Sequence, residues 1–166
     1  MIRTLTLTFT AGAGAAAMVA SSFGAFGPTV LAQQPADPPI IATPGTTEVL
    51  TIETGTIRIL VEGKQTDGAL TMVEGVVEPG HCVNVHTHAY AESFYVLEGT
   101  MTLQTADATR QLAAGEHVYV PPKVPHGFCN KGQVPLRNIL TATASGIETM
   151  FRRRAEESAK KQAPQP

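Results

Sequence analysis

The stretch that decides the fold is Gly80-His81-Cys82-Val83-Asn84-Val85-His86-Thr87-His88-Ala89-Tyr90-Ala91-Glu92, residues 80–92. Residues i and i+2 of a strand point to one face, so His86 and His88 can present imidazole nitrogens to a single point in space. Glu92 follows a short turn over 87–91 and can reach that point from the next strand. His126, forty residues beyond His86, would close the set. Three neutral nitrogens and a carboxylate suit one divalent transition metal ion, whether Fe, Mn, Ni, Co, Cu or Zn. A five- or six-coordinate ion would keep one or two positions open for chemistry.

Around these residues the spacing is Gly80-x5-His86-x-His88-x3-Glu92-x6-Gly99. After fifteen intervening residues comes Gly115-x5-Pro121-x-Lys123-x2-His126-x3-Asn130. Together the two runs resemble the paired signature of the cupin superfamily, over residues 70–145. The first matches at every fixed position. The second departs once, with Lys123 where the family usually carries glycine. That glycine would serve a tight turn with positive φ, which lysine tolerates poorly. The loop over 121–125 is therefore expected to be shaped differently, with no ligand affected. His81 and His117 fall on no motif position and are read as ordinary hydrogen-bonded histidines.

From Glu48 onward short apolar or alternating runs are punctuated by glycine. Strands are expected over 49–51, 57–62, 69–77, 82–88, 94–97, 101–105, 117–120, 127–130 and 137–142, at intervals that indicate an antiparallel sandwich or barrel. The resemblance implies the same all-β class, a cupin-type double-stranded β-helix or jelly-roll barrel, with a short C-terminal helix. Glu98-Gly99-Thr100 reads as a hairpin turn. The barrel is assigned to 48–145 and the helix to 146–162. In the helix Ile147, Met150, Phe151 and Ala155 form one stripe facing the barrel. Ser145 is the expected cap, and Glu148 places negative charge early in the helix. Arg152, Arg153 and Arg154 precede Glu156 and Glu157, so a solvated, salt-bridged face is expected in preference to an anionic partner.

Residues 1–32 carry a single charge, Arg3, then apolar and small residues ending in Val30-Leu31-Ala32. This is the pattern of a signal peptide cleaved after Ala32, although the stretch is also compatible with a structural helix. Export to the periplasm or beyond is the expectation, with no membrane attachment after cleavage. Residues 33–47 hold Pro35, Pro38, Pro39 and Pro44 and read as an extended linker. The chain has twelve basic and fourteen acidic residues, a net charge of −2, and losing Arg3 makes it −3. A balance so close to neutral argues against a nucleic-acid partner, since phosphate contacts need a clustered basic surface.

Cys82 and Cys129 are an even pair in a chain read as exported, which favours a disulfide in principle. Strand parity opposes it, because Cys82 shares the inward face of His86 whereas Cys129 has opposite parity to His126. Only a bulge would reconcile them. Cys82 is thus read more readily as an inward residue near the ligands.

Alternation from Glu92 and His126 turns Phe94, Val96 and Phe128 inward, and Val85, Thr87, Tyr95 and Leu97 outward. Phe94, Phe128, Met101 and Tyr90 could shape a small apolar cavity over an ion, with Asn84 as a polar contact to ligand or metal shell. The resemblance implies metal ligation by His86, His88, Glu92 and His126. It also implies a small-molecule substrate or ligand, and a homodimer through the outer sheet faces as an option. Single-domain cupins with these ligands resemble quercetinase-like dioxygenases, in which the equivalent of Glu92 can act as general base. A non-catalytic small-molecule or metal-binding module and a metal-assisted isomerase or lyase remain the alternatives.

Overall fold

The computed structural model describes residues 37–162. The expected signal peptide, 1–32, and the start of the linker, 33–36, lie outside the described residues. The strands are β1 (Val49–Ile52), β2 (Gly55–Val61), β3 (Thr71–Val77), β4 (Cys82–His86) and β5 (Glu92–Glu98), then β6 (Thr100–Thr105), β7 (Thr109–Ala113), β8 (His117–Val120), β9 (His126–Cys129) and β10 (Leu136–Ala142). Helix α1 (Ile147–Gln162) closes the described chain.

All pairings are antiparallel, in two sheets ordered β1-β2-β3-β10-β5-β8 and β4-β9-β6-β7. Alternation does the sorting. Thr71, Val73 and Val77 of β3, and Leu136, Asn138, Leu140 and Ala142 of β10, are buried at every second position. The apolar ones among them form a core between the sheets with Phe94, Val96 and Met101. Burying each large apolar side chain contributes about 1.5–3 kcal/mol, which is what holds two otherwise one-sided sheets together.

Strand β7 was not legible in the sequence. Thr109-Arg110-Gln111-Leu112-Ala113 has one inward apolar residue, Leu112, and is a sheet edge, so it carries almost no alternation. Gly99 is not a hairpin turn either. Strands β5 and β6 belong to different sheets, and Gly99, at φ +75°, is the corner where the chain crosses between them. A Cβ there would lie 2.7 Å from the Pro135 carbonyl oxygen, so the corner requires glycine.

Lys123 corrects the expectation about the second motif. It adopts φ +67°, the left-handed conformation that the usual glycine would supply. Its amide donates to the His88 carbonyl at 2.8 Å, which fastens the loop to the segment bearing a candidate ligand.

The cysteines form a disulfide, contrary to the parity argument. Cys82 stands opposite Cys129, and Val83 opposite Phe128, but the next pair is His86 with His126. Strand β4 thus carries one extra residue at a bulge, which turns Cys82 outward while Val83 and His86 both face inward. Cys82 is exposed and does not approach the cavity. Gly127 makes the bulge feasible: a Cβ there would sit 2.6 Å from the Val83 carbonyl oxygen and 2.8 Å from the Val85 nitrogen.

Helix α1 buries Ile147 and Phe151 in the core, with Met150 and Ala155 packed beside them. Its first turn is capped by the buried carboxylate of Glu148, which accepts from the Gly146 amide at 3.1 Å, in place of Ser145. Two of its arginines reach the barrel instead of the helix's own acids. Arg152 pairs with Glu48 at 2.8 Å and Glu62 at 2.9 Å, and Arg154 pairs with Glu53. Arg153 alone keeps the expected i,i+4 partner, Glu157, at 3.9 Å.

Candidate metal centre

Strand β4 ends at His86 and strand β9 begins at His126, which face each other in the smaller sheet. Glu92 opens β5 in the larger sheet, and His88 lies in the connection between β4 and β5. Both sheets therefore contribute to one group, whose ligand atoms all lie within 4.8 Å of one another. Glu92 and His126 are buried, His88 is half-buried, and His86 is exposed.

Each imidazole is oriented by its own backbone neighbourhood. The Nδ1 of His86 lies 2.9 Å from the Asn84 carbonyl, that of His88 2.7 Å from the Tyr90 carbonyl, and that of His126 2.9 Å from the Val124 carbonyl. A carbonyl only accepts, so in all three rings Nδ1 is the donor and carries the proton. In a neutral ring Nε2 is then a bare lone pair, the form that binds metals, and the carbonyl fixes both tautomer and ring plane.

The Glu92 Oε2 lies 3.0 Å from His126 Nε2 and 3.1 Å from His88 Nε2. The second contact has ion-pair distance without hydrogen-bond alignment, and His88 Nε2 is a buried atom with no hydrogen-bond partner. Three acceptors gathered this closely in a buried place repel one another unless positive charge stands among them. The donor set thus fits a cation.

The supporting shell is apolar and aromatic. Tyr90 stacks on His88, with ring centroids 3.9 Å apart and ring planes nearly parallel. Burial, and then the Glu92 charge, hold its phenol above the ordinary value, so Tyr90 acts as a neutral wall. Phe94 packs edge-on against Phe128 at 5.3 Å and approaches His126 at 6.4 Å. Phe94 and Phe128 line a cavity of about 260 Å³ that also meets His86 and Glu92. Met101 is fully buried in the core and does not border that cavity, and neither does Tyr90. The Asn84 side chain is exposed, and its residue serves the site through the backbone carbonyl under His86.

Other residues were not assigned to the cavity from the sequence, although Met150 and Phe151 were read as facing the barrel. Asn138 of β10, Thr54 of the β1–β2 turn, and Met150, Phe151 and Arg154 of α1 all border it. For Asn138 a signal existed: an asparagine at an inward position of an otherwise apolar alternating strand. Arg154 had none, because helix periodicity gives a face but not what that face covers.

The cupin-domain family model matches residues 73–141, the span from β3 to β10 that carries all four candidate ligands. The chain is a small cupin-family protein. It is similar to an uncharacterised protein of Methanocaldococcus jannaschii, 32% identical over 68 residues, covering 40% of this chain and 54% of that one. It is also similar to a quercetin 2,3-dioxygenase of Bacillus subtilis, 36% identical over 72 residues, covering 43% of this chain and 21% of that enzyme. The chain thus spans about half the length of the first relative and a fifth of the second. Among solved structures, an RmlC-like cupin from Shewanella frigidimarina aligns with a TM-score of 0.57 at 24% identity, covering 65% of this chain and 93% of that one, a likeness of fold.

Proposed function

We propose that this cupin is an exported, metal-dependent oxidoreductase of dioxygenase type, acting on a small oxygenated organic compound. The observation that carries the proposal is the shared orientation of the three imidazoles. Each gives Nδ1–H to a backbone carbonyl, and the Nε2 atoms of His88 and His126 lie 3.1 and 3.0 Å from Glu92, that of His88 buried without a partner. His86, His88, Glu92 and His126 would hold the ion. Bound there, a divalent transition metal supplies Lewis acidity and, if redox-active, one-electron chemistry.

The chain's own residues do the rest. Glu92 belongs both to the ligand group and to the cavity wall, so its carboxylate can accept the proton of a substrate hydroxyl that enters beside it. Phe94 and Phe128 orient an apolar or aromatic body against that carboxylate. The similarity to a quercetin 2,3-dioxygenase over 72 residues supports the reaction class. Export is supported by the leader-like composition of residues 1–32 and by the Cys82–Cys129 disulfide, which belongs to an oxidising compartment.

Oxygen consumption tests the reading. The metal-loaded protein should take up oxygen with some member of a panel of one- and two-ring phenols. Glu92→Gln should lose that uptake while still binding the compound. Absence of uptake across the panel with every metal loaded contradicts the oxidoreductase assignment.

A further inference from the structure

The cavity has a second polar end. Glu92, Phe94 and Val96 face inward along β5, and their partners on β10 are Ala142, Leu140 and Asn138. Glu92 and Val96 are four residues apart, so Asn138 stands about 13 Å along the sheet from the level of the ligand group. Asn138 is 2% exposed and borders the cavity. Its one side-chain hydrogen bond among the described residues is a long one, Nδ2–H to the Gly75 carbonyl at 3.4 Å, which leaves the second Nδ2–H free to donate. In a wall of Ile57, Val73 and Leu140 this amide is a polar group that a ligand in the cavity can meet.

Two further donors border the same cavity. Thr54, 5% exposed, lies in the turn between β1 and β2. Arg154 of α1 also lines the cavity, held by the neighbouring Glu53 through Nε and Nη2, which leaves Nη1 uncommitted. Donors on Asn138, Thr54 and Arg154 call for an oxygen acceptor. The pairing with Glu53 offsets the guanidinium charge, so a carbonyl serves as well as a carboxylate.

Size restricts the ligand further. At about 260 Å³ the cavity lies just below the range of about 300–1,000 Å³ typical of drug-sized sites. One or two rings fit.

We infer that the ligand is an elongated, mainly apolar compound of one or two rings, whose carbonyl or carboxylate oxygen is held by Asn138, Thr54 and Arg154, at the end remote from the histidines. The inference rests on the proposed function in taking the His/Glu group as the reacting end. Asn138 and Arg154 are specificity-determining residues in this scheme and take no part in proton transfer.

The test is NMR titration with three probes of one shape: trans-cinnamate, trans-cinnamamide and trans-β-methylstyrene. The protein is used as purified, with metal content measured, and again after chelation. Cinnamate and cinnamamide should both bind more tightly than the hydrocarbon, with or without metal. Asn138→Leu should weaken both oxygen-bearing probes about tenfold, bringing them near the hydrocarbon, and leave metal content unchanged. Arg154→Gln, at a half-buried position, should weaken cinnamate more than cinnamamide. Equal binding of all three probes, or cinnamate affinity lost in His86→Ala but intact in Asn138→Leu and Arg154→Gln, overturns the assignment. Failure to hold metal would sink the proposed function while leaving these titrations interpretable.

Discussion

His86 stands directly opposite His126 in the β4–β9 ladder, and the Cys82–Cys129 disulfide ties the same two strands at their other end. The bulge lies between the two pairs, against Gly127. Two of the four candidate ligands thus depend on a short ladder with a covalent tie, a deliberate irregularity and one indispensable glycine.

Gly127→Ala should force the Val83 carbonyl and the Val85 amide away. Overpacking of this kind costs about 1–3 kcal/mol. Urea denaturation should show that loss, and metal titration should show weakened affinity, because the bulge sets the facing of His86. A variant of unchanged stability and affinity would mean that the bulge does not position the ligand.

Breaking the disulfide, by reductant or by Cys82→Ser with Cys129→Ser, releases a loop with a sequence separation of 47. Loop entropy puts the loss at about 4 kcal/mol, and the usual range is about 2–4 kcal/mol. Denaturation with and without dithiothreitol measures it. Coincident transitions would show that the bond adds nothing to stability.

Lys123→Gly should stabilise the protein by about 0.5–1 kcal/mol. The left-handed conformation costs a non-glycine residue about 1–2 kcal/mol, part of which is offset by glycine's freedom in the unfolded chain. The amide bond to His88 survives the change, since it uses only the backbone. Thermal denaturation decides the sign, and a destabilised variant would show that the lysine side chain contributes more than its strain.

Acid should loosen the docking of α1. Hydrogen bonds from Lys64 and then Arg152 hold the Glu62 carboxyl below its ordinary value of 4.5. A carboxyl depressed in the folded state stabilises it above the unfolded pKa, and that stability is lost as pH falls through the folded one. Stability should therefore decline as pH drops below about 4.5. Arg152→Met should flatten that decline, as measured by denaturation between pH 6 and pH 3 at low salt, where surface pairs are least screened. Identical pH profiles for the two proteins would remove the pair from the account of docking.

How much of this was legible beforehand follows from what each signal encodes. The spacing of His86, His88, Glu92 and His126 is a local pattern, and the fold brings those four together. The alternation of Phe94, Val96 and Phe128 likewise gave their facing directly. The cysteine pairing failed because parity counting assumes a regular ladder, and the bulge opposite Gly127 breaks it. Gly99 was misread because a glycine corner between sheets and a hairpin turn demand the same positive φ. The far end of the cavity was hidden, since it is assembled from β10, the β1–β2 turn and α1, whose proximity only the tertiary structure shows.

The central claim is that His86, His88, Glu92 and His126 hold a metal ion, and elemental analysis of the protein from Gln33 onward tests it most directly. The protein should be purified without a histidine tag, loaded with Fe, Mn, Ni, Co, Cu and Zn in turn, and compared with a His86→Ala/His88→Ala variant. About one equivalent of ion in the wild type, absent from the variant, is the expected result. No retained metal under any loading, or equal retention by the variant, would contradict the claim.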